Sequence, residues 1–321
     1  MVDPLQVGIV SPARADSNNG NWHTAARWAE HLRPLGEVAL LERWEGQPLR
    51  VLVALHARKS AESVAAYRQQ VPDGKIVLVM TGTDLYRDLP DDVLALRSIA
   101  LADRIVVLQA KALAMLPAEA AAKARVIVQS APALPHRLPR AGAGEPVRFI
   151  AVGHLREVKD PLTLARAAAR LAGEPGIAVE HIGAALDPAL AAELGKITRG
   201  CPGYRWLGGL PHADVLAHLQ AADALVHPSR MEGGANAIIE AVQCGMPVIA
   251  SAVDGNVGLL GEGYDGYFPL GDDAALAGLM RRFASDAAFA ATLARQCDAL
   301  RASFAPEAEG AAVRALVGDL L

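Results

Sequence analysis

The chain has 321 residues, 52% of them hydrophobic, which is long for one domain and sufficient for two cores. Its formal net charge of −4 argues against a nucleic-acid binder, since such proteins carry a basic excess. Three cysteines, Cys201, Cys244 and Cys297, form no C-x-x-C pair, which fits a reducing compartment and no structural zinc.

The first residues, MVDPLQVGIVSP, lack a basic segment followed by a long apolar one, so no signal peptide is expected. The longest apolar runs, such as Ile76–Met80, have strand length and fall far short of a membrane span. A soluble cytoplasmic protein without a membrane partner is expected. Short apolar runs predict strands at 7–10, 38–41, 51–55, 76–80, 105–108 and 126–128. Helical spacing predicts helices between them at 22–32, 61–70 and 91–101. This βα rhythm predicts a parallel sheet. A Pro- and Gly-rich stretch, with Pro132, Pro135, Pro139, Gly142, Gly144 and Pro146, reads as a linker.

The rhythm then restarts. Strands are predicted at 147–152, 179–182, 204–207, 224–226 and 248–250, and helices at 161–171, 188–196, 211–220 and 236–244. The fold class is α/β, with two doubly wound Rossmann-like parallel-sheet domains. Domain boundaries are expected at 1–135, a linker at 136–146, and a second domain at 147–305. The amphipathic segment at about 306–321 is expected to return to the first domain.

The densest chemistry lies in PSRMEGGANAIIEAVQCGMPVIAS, Pro228 to Ser251. Glu232 and Glu240 stand eight positions apart, and Gly233 and Gly234 open a helix between them. A Gly turn at a helix start exposes free N–H groups and the positive end of a dipole, which suits phosphate. Glu240 then lies roughly 9 Å along the axis from that seat. A second strand–Gly turn–helix runs from Val152 to Pro161, with Gly153, His154, Arg156 and Lys159 in the turn.

These segments resemble family 4 glycosyltransferases, which have the GT-B fold, two Rossmann-like domains facing across a cleft. The pair Glu232 and Glu240 resembles that family's E-x7-E signature, which implies that Glu232 faces the donor sugar and Glu240 binds the ribose. Gly153–Lys159 resembles its G-R-L-x-x-x-K element, which implies that Lys159 holds the diphosphate. His154 stands where the family has Arg, and Arg156 is the candidate replacement. The resemblance makes Glu232, Lys159 and Arg156 the catalytic candidates. It adds Gly153, His154, Gly208, Leu210, Arg230, Gly233, Gly234, Ala235, Asn236 and Glu240 as binders of a UDP-sugar donor. No D-x-D triplet is present, so no metal ligand set and no cofactor are expected.

Loops after the first-domain strands carry Arg14, Asn19, Gly20 and His23, then Arg58 and Lys59, then Thr81, Asp84 and Arg87. In a parallel sheet these loops share one edge, so the cations are expected to converge on an anionic acceptor. His23 on its own reads more readily as structural. The phrases SPARADSNNGNWHTAARWA, LHARKS, TGTDLYRDL and VGHLREVKDP resemble the selenosugar synthases of selenoneine biosynthesis. That resemblance implies transfer from a UDP-sugar, UDP-glucose or UDP-N-acetylglucosamine, to selenophosphate, with a carbon–selenium bond formed. It also implies functional coupling to a selenophosphate-producing enzyme and a downstream selenoneine-forming enzyme. Two alternatives stay open: transfer to a hydroxyl or thiol acceptor, and a nucleotide-sugar-binding regulator without turnover.

Overall fold

The structure, a computed structural model, describes residues 7–12, 20–89, 91–135, 145–174 and 176–321. The chain divides into two units, one of residues 1–129 with 306–321 and one of residues 130–305.

The first unit holds a six-stranded sheet of β1 (Val7–Val10), β2 (Val38–Leu41), β3 (Val51–Leu55), β4 (Lys75–Val79), β5 (Arg104–Val107) and β6 (Ala124–Val126). The order is β2-β1-β3-β4-β5-β6, and every pairing is parallel. The inner strands are apolar on both faces because helices cover both. Alternation assigns the faces: Val51, Val53, Leu55, Val77 and Val79 share one core with Trp28 and Val313. Leu52, Ala54, Ile76 and Leu78 share the other with Tyr67 and Ile99.

Helices α1 (Gly20–Leu32) and α12 (Pro306–Gly318) cover the first face. They are joined by Glu309, which is buried and accepts from Arg27 Nε at 2.6 Å and Trp28 Nε1 at 2.8 Å. Helices α2 (Ala61–Gln70) and α3 (Val93–Leu101) cover the other. Asp92 caps α3 by accepting from Ala95 N at 2.9 Å, so that helix begins two residues after the predicted start. A short helix, α4 (Ala118–Ala122), precedes β6, which lies two residues earlier than predicted.

The second unit repeats the layout with β7 (Val147–Val152), β8 (Ile177–Ile182), β9 (Tyr204–Gly208), β10 (Ala224–His227), β11 (Val248–Ser251) and β12 (Tyr267–Phe268). Its order is β12-β11-β10-β7-β8-β9, again all parallel. Helices α5 (Pro161–Arg170), α6 (Pro188–Ile197), α7 (His212–Ala221), α8 (Asn236–Gln243) and α9 (Asp254–Leu260) alternate with these strands. Helices α10 (Asp273–Ser285) and α11 (Ala287–Asp298) follow; like α4, α9 and β12, they have no counterpart among the predicted elements. The chain runs from β7 outward to β9 and returns to place β10 on the other side of β7. This reversal opens a crevice beyond the carboxyl ends of β7 and β10, where sheets of this kind receive ligands.

All three cysteines are free and buried. No helix among the described residues is long and apolar enough to cross a membrane.

Candidate functional site

Beyond the carboxyl ends of β7 and β10, Gly153, Lys159, His181, His227 and Ser229 line one small cavity. Three side chains from two segments of the chain meet beside it. Lys159 Nζ lies 2.6 Å from Glu232 Oε1, and His227 Nε2 lies 2.8 Å from the same oxygen. Glu232 and His227 are buried, whereas Lys159 keeps 29% of its side chain exposed. Burial alone would raise the pKa of the Glu232 carboxyl. The neighbouring Lys159 and His227 outweigh it and hold that carboxyl well below the usual carboxylate range. Glu232 is therefore an anion, with Lys159 and His227 donating to it.

Local backbone chemistry aims these groups. Lys159 ends a short 3-10 turn, Glu157–Lys159, and Asp160 follows in the left-handed region at φ 44°. Asp is among the few residues that tolerate this conformation, and strained positions cluster at functional sites. The strain is held by three contacts. Asp160 accepts from Thr163 Oγ1 at 2.9 Å, pairs with Arg230 at 3.2 Å, and precedes Pro161, the first residue of α5. Arg230 N also donates to Val158 O at 2.9 Å, so the loop after β10 is tied to the Lys159 turn.

Glu232 is fixed from below. Asn256 Nδ2 donates to Ser251 O and Oγ at 3.0 and 3.1 Å, and Ser251 Oγ donates to Ser229 O at 2.5 Å. Ser229 Oγ lies 3.2 Å from His227 Nε2, which completes a buried polar chain from α9 to Glu232. Only glycine fits at 255, because a Cβ there would stand 2.1 Å from Glu232 O.

The Gly153 turn is locked in the same way. His181 Nε2 lies 3.1 Å from Gly153 O and its Nδ1 lies 2.8 Å from Tyr204 Oη. Burial pushes the His181 pKa down to about 4, so the ring is neutral. A Cβ on Gly183 would stand 1.9 Å from Gly153 O, so only glycine permits this strand approach. His154 Nδ1 accepts from Ala184 N at 3.0 Å, which ties the Gly153 turn to the end of β8.

Gly233, Gly234, Ala235 and Asn236 form the turn into α8. Among the described residues their N–H groups have no partner, as an anion seat requires. Glu240, one turn further, lies 2.8 Å from His212 Nε2 at the start of α7. That hydrogen bond raises the His212 pKa, against the smaller opposing effect of burial. Gly208 adopts φ 74° at the end of β9, and Leu210 follows half-buried. The indole N–H of Trp206 donates to Gly183 O at 2.8 Å, which ties β9 to the turn after β8.

Arg156 is not drawn into the centre. It is exposed at the head of the 3-10 turn, and among the described residues its side chain has no hydrogen-bond or ion-pair partner. Contributors missed in the sequence include His181, Ser229, Ser251, His212, Asn256 and the Asp160 tether. His212 was detectable as the first residue of a helix whose start shares the sheet edge with α8. Asn256 and Asp160 act through contacts that spacing does not encode.

In the first unit, Arg14 and Asn19 lie outside the described residues. Gly20 starts α1, and His23 is half-buried on it. Asp84 does not offer a free carboxylate. It is fully buried, accepting from Ala57 N, Thr81 N and Gly82 N, each at 2.9 Å. It thus staples the loops after β3 and β4 together. Thr81 stays half-buried, its hydroxyl 3.4 Å from the same carboxylate.

Burial lowers the His56 pKa most, and Lys59 and Arg87 both lie near enough to lower it further. Arg58 pairs with Asp92 at 2.9 Å and Arg87 with Asp88 at 3.4 Å. Lys59 lines a separate cavity of about 440 Å³ with Ser11, Trp44, Arg43 and Glu62. His56, buried with φ 71°, adds a second left-handed non-glycine position, its Nε2 lying 3.1 Å from Thr83 Oγ1.

Comparison with known proteins places this geometry. Residues 146–286 match the family described as Glycosyl transferases group 1. The chain is 32% identical over 113 residues to Glycosyltransferase 1 domain-containing protein 1 of Xenopus tropicalis, covering 35% of this chain and 33% of that protein. It is 34% identical over 206 residues to the D-inositol 3-phosphate glycosyltransferase of Geodermatophilus obscurus, covering 56% of this chain and 45% of that protein. These matches thus span less than half the length of either relative.

Among solved structures, sucrose-phosphate synthase from Thermosynechococcus elongatus superposes with a TM-score of 0.80 at 19% identity, over 98% of this chain and 99% of that one. Anabaena HepE in complex with UDP and glucose gives 0.79 at 17% identity, over 98% and 99%. The fold is GT-B, with two Rossmann-like parallel-sheet units.

Proposed function

We propose that this protein is a glycosyltransferase whose second unit binds a UDP-sugar and whose acceptor is selenophosphate. The observation that carries the donor half is the meeting of Lys159 and Glu232 beside the open N–H groups of the α8 turn. In this reading the diphosphate sits on those N–H groups and Lys159, and Glu240 receives the ribose hydroxyls. The UDP and glucose bound to HepE support a donor of this class. Arg156 and His154 flank the diphosphate, and Arg230 acts through Asp160 by holding the Lys159 turn.

In the reaction proposed, selenium attacks the anomeric carbon, and the bond from that carbon to the diphosphate oxygen breaks. The electron pair departs with UDP, and cationic and N–H donors stabilise the growing charge. Glu232 is held ionised, so it serves as an electrostatic and hydrogen-bonding partner of the donor sugar. A selenium nucleophile on selenophosphate is anionic near neutral pH and needs no strong base. The acceptor half rests on the four phrases that resemble selenosugar synthases, three of them in the first unit. The immediate product would be an Se-glycosyl selenophosphate. Attack of water on its phosphorus, with the P–Se bond breaking, would release phosphate and the selenosugar, placing the enzyme between a selenophosphate-producing enzyme and a selenoneine-forming one.

The test is product mass spectrometry. The protein is incubated with UDP-glucose or UDP-N-acetylglucosamine, with and without enzymatically generated selenophosphate, in chelator and in added divalent metal. A product with the selenium isotope pattern and matching UDP release is expected, with no loss in chelator. Donor consumption only with hydroxyl or thiol acceptors overturns the selenophosphate half. No donor consumption with any acceptor overturns the whole reading.

A further inference from the structure

The chain of contacts beneath Glu232 has a property that its structural role does not require. Lys159 and His227 both address the same oxygen, Oε1. Lys159 is the partly exposed member, and the proposed donor reading sets the diphosphate against it. His227 is the enclosed member, with 2% of its side chain exposed. A diphosphate next to Lys159 competes with Glu232 for that ammonium group. The carboxylate cannot leave, because Gly255 packs on its backbone and the Asn256–Ser251–Ser229 chain holds the loop.

We infer that His227 takes up a proton when the donor binds, becoming the cation that holds Glu232 in place as Lys159 turns to the diphosphate. This inference rests on the donor reading above. His227 acts through Glu232 and is a positioning residue. The proton comes from solvent. Nε2 already faces Glu232 and Ser229, so it goes to Nδ1, which has no hydrogen-bond partner among the described residues.

The charged and titratable groups around His227 agree with this. Lys159 opposes a second cation in the free protein, and its sharing with the diphosphate removes part of that opposition. Glu232 favours the proton throughout. His181, across the cavity on β8, is neutral and engaged at both nitrogens. Asp160 is matched by Arg230. Ser251 and Asn256 on the β11 and α9 side are uncharged. The net change on donor binding is added negative charge, which raises the proton affinity of an imidazole.

Titration calorimetry tests the inference. A UDP-sugar is used because its diphosphate diester has no group titrating near neutral pH. It is added to the whole chain at about pH 8 in buffers of different ionisation enthalpy. The heat should depend on the buffer and report uptake approaching about one proton per donor bound. Donor affinity should fall as pH rises, by up to about tenfold per pH unit. H227Q keeps an N–H donor yet has no titration here, so it should bind donor with buffer-independent heat.

Binding without proton uptake in the wild type overturns the inference, as does uptake that persists in H227Q. If no UDP-sugar binds at all, the donor reading fails first and this inference with it. If H227Q does not fold, wild-type histidine Cε1 resonances decide. One of the nine histidines should move to its charged position on donor addition. No such movement overturns the inference.

Discussion

At the carboxyl edge of the first sheet, the Asp84 carboxylate is wrapped by backbone N–H groups from three residues. At the same edge of the second sheet, the Glu232 carboxylate is met by two side chains, Lys159 and His227. Both acids are buried and compensated, but in different ways. Backbone donors cannot leave Asp84 unless the loops unfold, so its charge is committed to architecture. Side-chain donors can be shared with an arriving anion, so the charge of Glu232 is available to chemistry. A buried carboxylate is thus read by its donors as much as by its burial.

Removing members of the second cluster should have the largest effect. K159A leaves Glu232 with one partner, and E232A leaves Lys159 and His227 facing each other. A charge-assisted hydrogen bond contributes about 1.5–3 kcal/mol, so each variant should lose at least about tenfold in kcat/KM. If both lose turnover while UDP-sugar still binds E232A, Glu232 belongs to the transferring step. Near-normal kinetics in both variants would remove the distinction drawn between the two carboxylates.

The first-unit carboxylate should answer in the opposite currency. In D84N one oxygen becomes an amide and meets backbone N–H donors head on. The expected cost is about 1–3 kcal/mol for each donor left without an acceptor. Thermal unfolding should shift down, while donor affinity in calorimetry stays at the wild-type value. A drop in UDP-sugar affinity with unchanged thermal unfolding would reverse the assignment of Asp84 to architecture.

Much of this was legible in the sequence, and the residues show why. Apolar runs such as Val51–Leu55 could only be strands of a covered parallel sheet, and the structure places them there. The Gly233–Gly234 turn before α8 was readable because helix starts have a local code. The partners of the first unit's cations were not. A βα pattern brings Arg58, Lys59 and Arg87 to one edge but does not set the partner each finds within reach. Asp92 was available to Arg58 because it caps α3, and Asp88 to Arg87 because they are neighbours in sequence. The helices α10 and α11 are a different case. Their apolar stripes are at least as strong as those of α6 and α7, so their signal was present in the sequence although no helix was predicted there.

The smallest expected effect separates a third carboxylate from the other two. Glu240 is neither wrapped by backbone nor enclosed; it meets His212, whose side chain is 48% exposed. The hydrogen bond to Glu240 raises the His212 pKa in the folded protein above its unfolded value. The stabilisation is therefore complete below the unfolded pKa, and it disappears as pH rises through the folded one. Solvent screening at this exposure keeps it under about 1 kcal/mol. Comparing wild type with H212Q, the difference in thermal midpoint should be present near about pH 5.5 and vanish above about pH 8. A difference that grows with pH would mean that His212 stabilises the fold as a neutral ring. Glu240 would then be free to receive a ribose without first releasing an ionic partner.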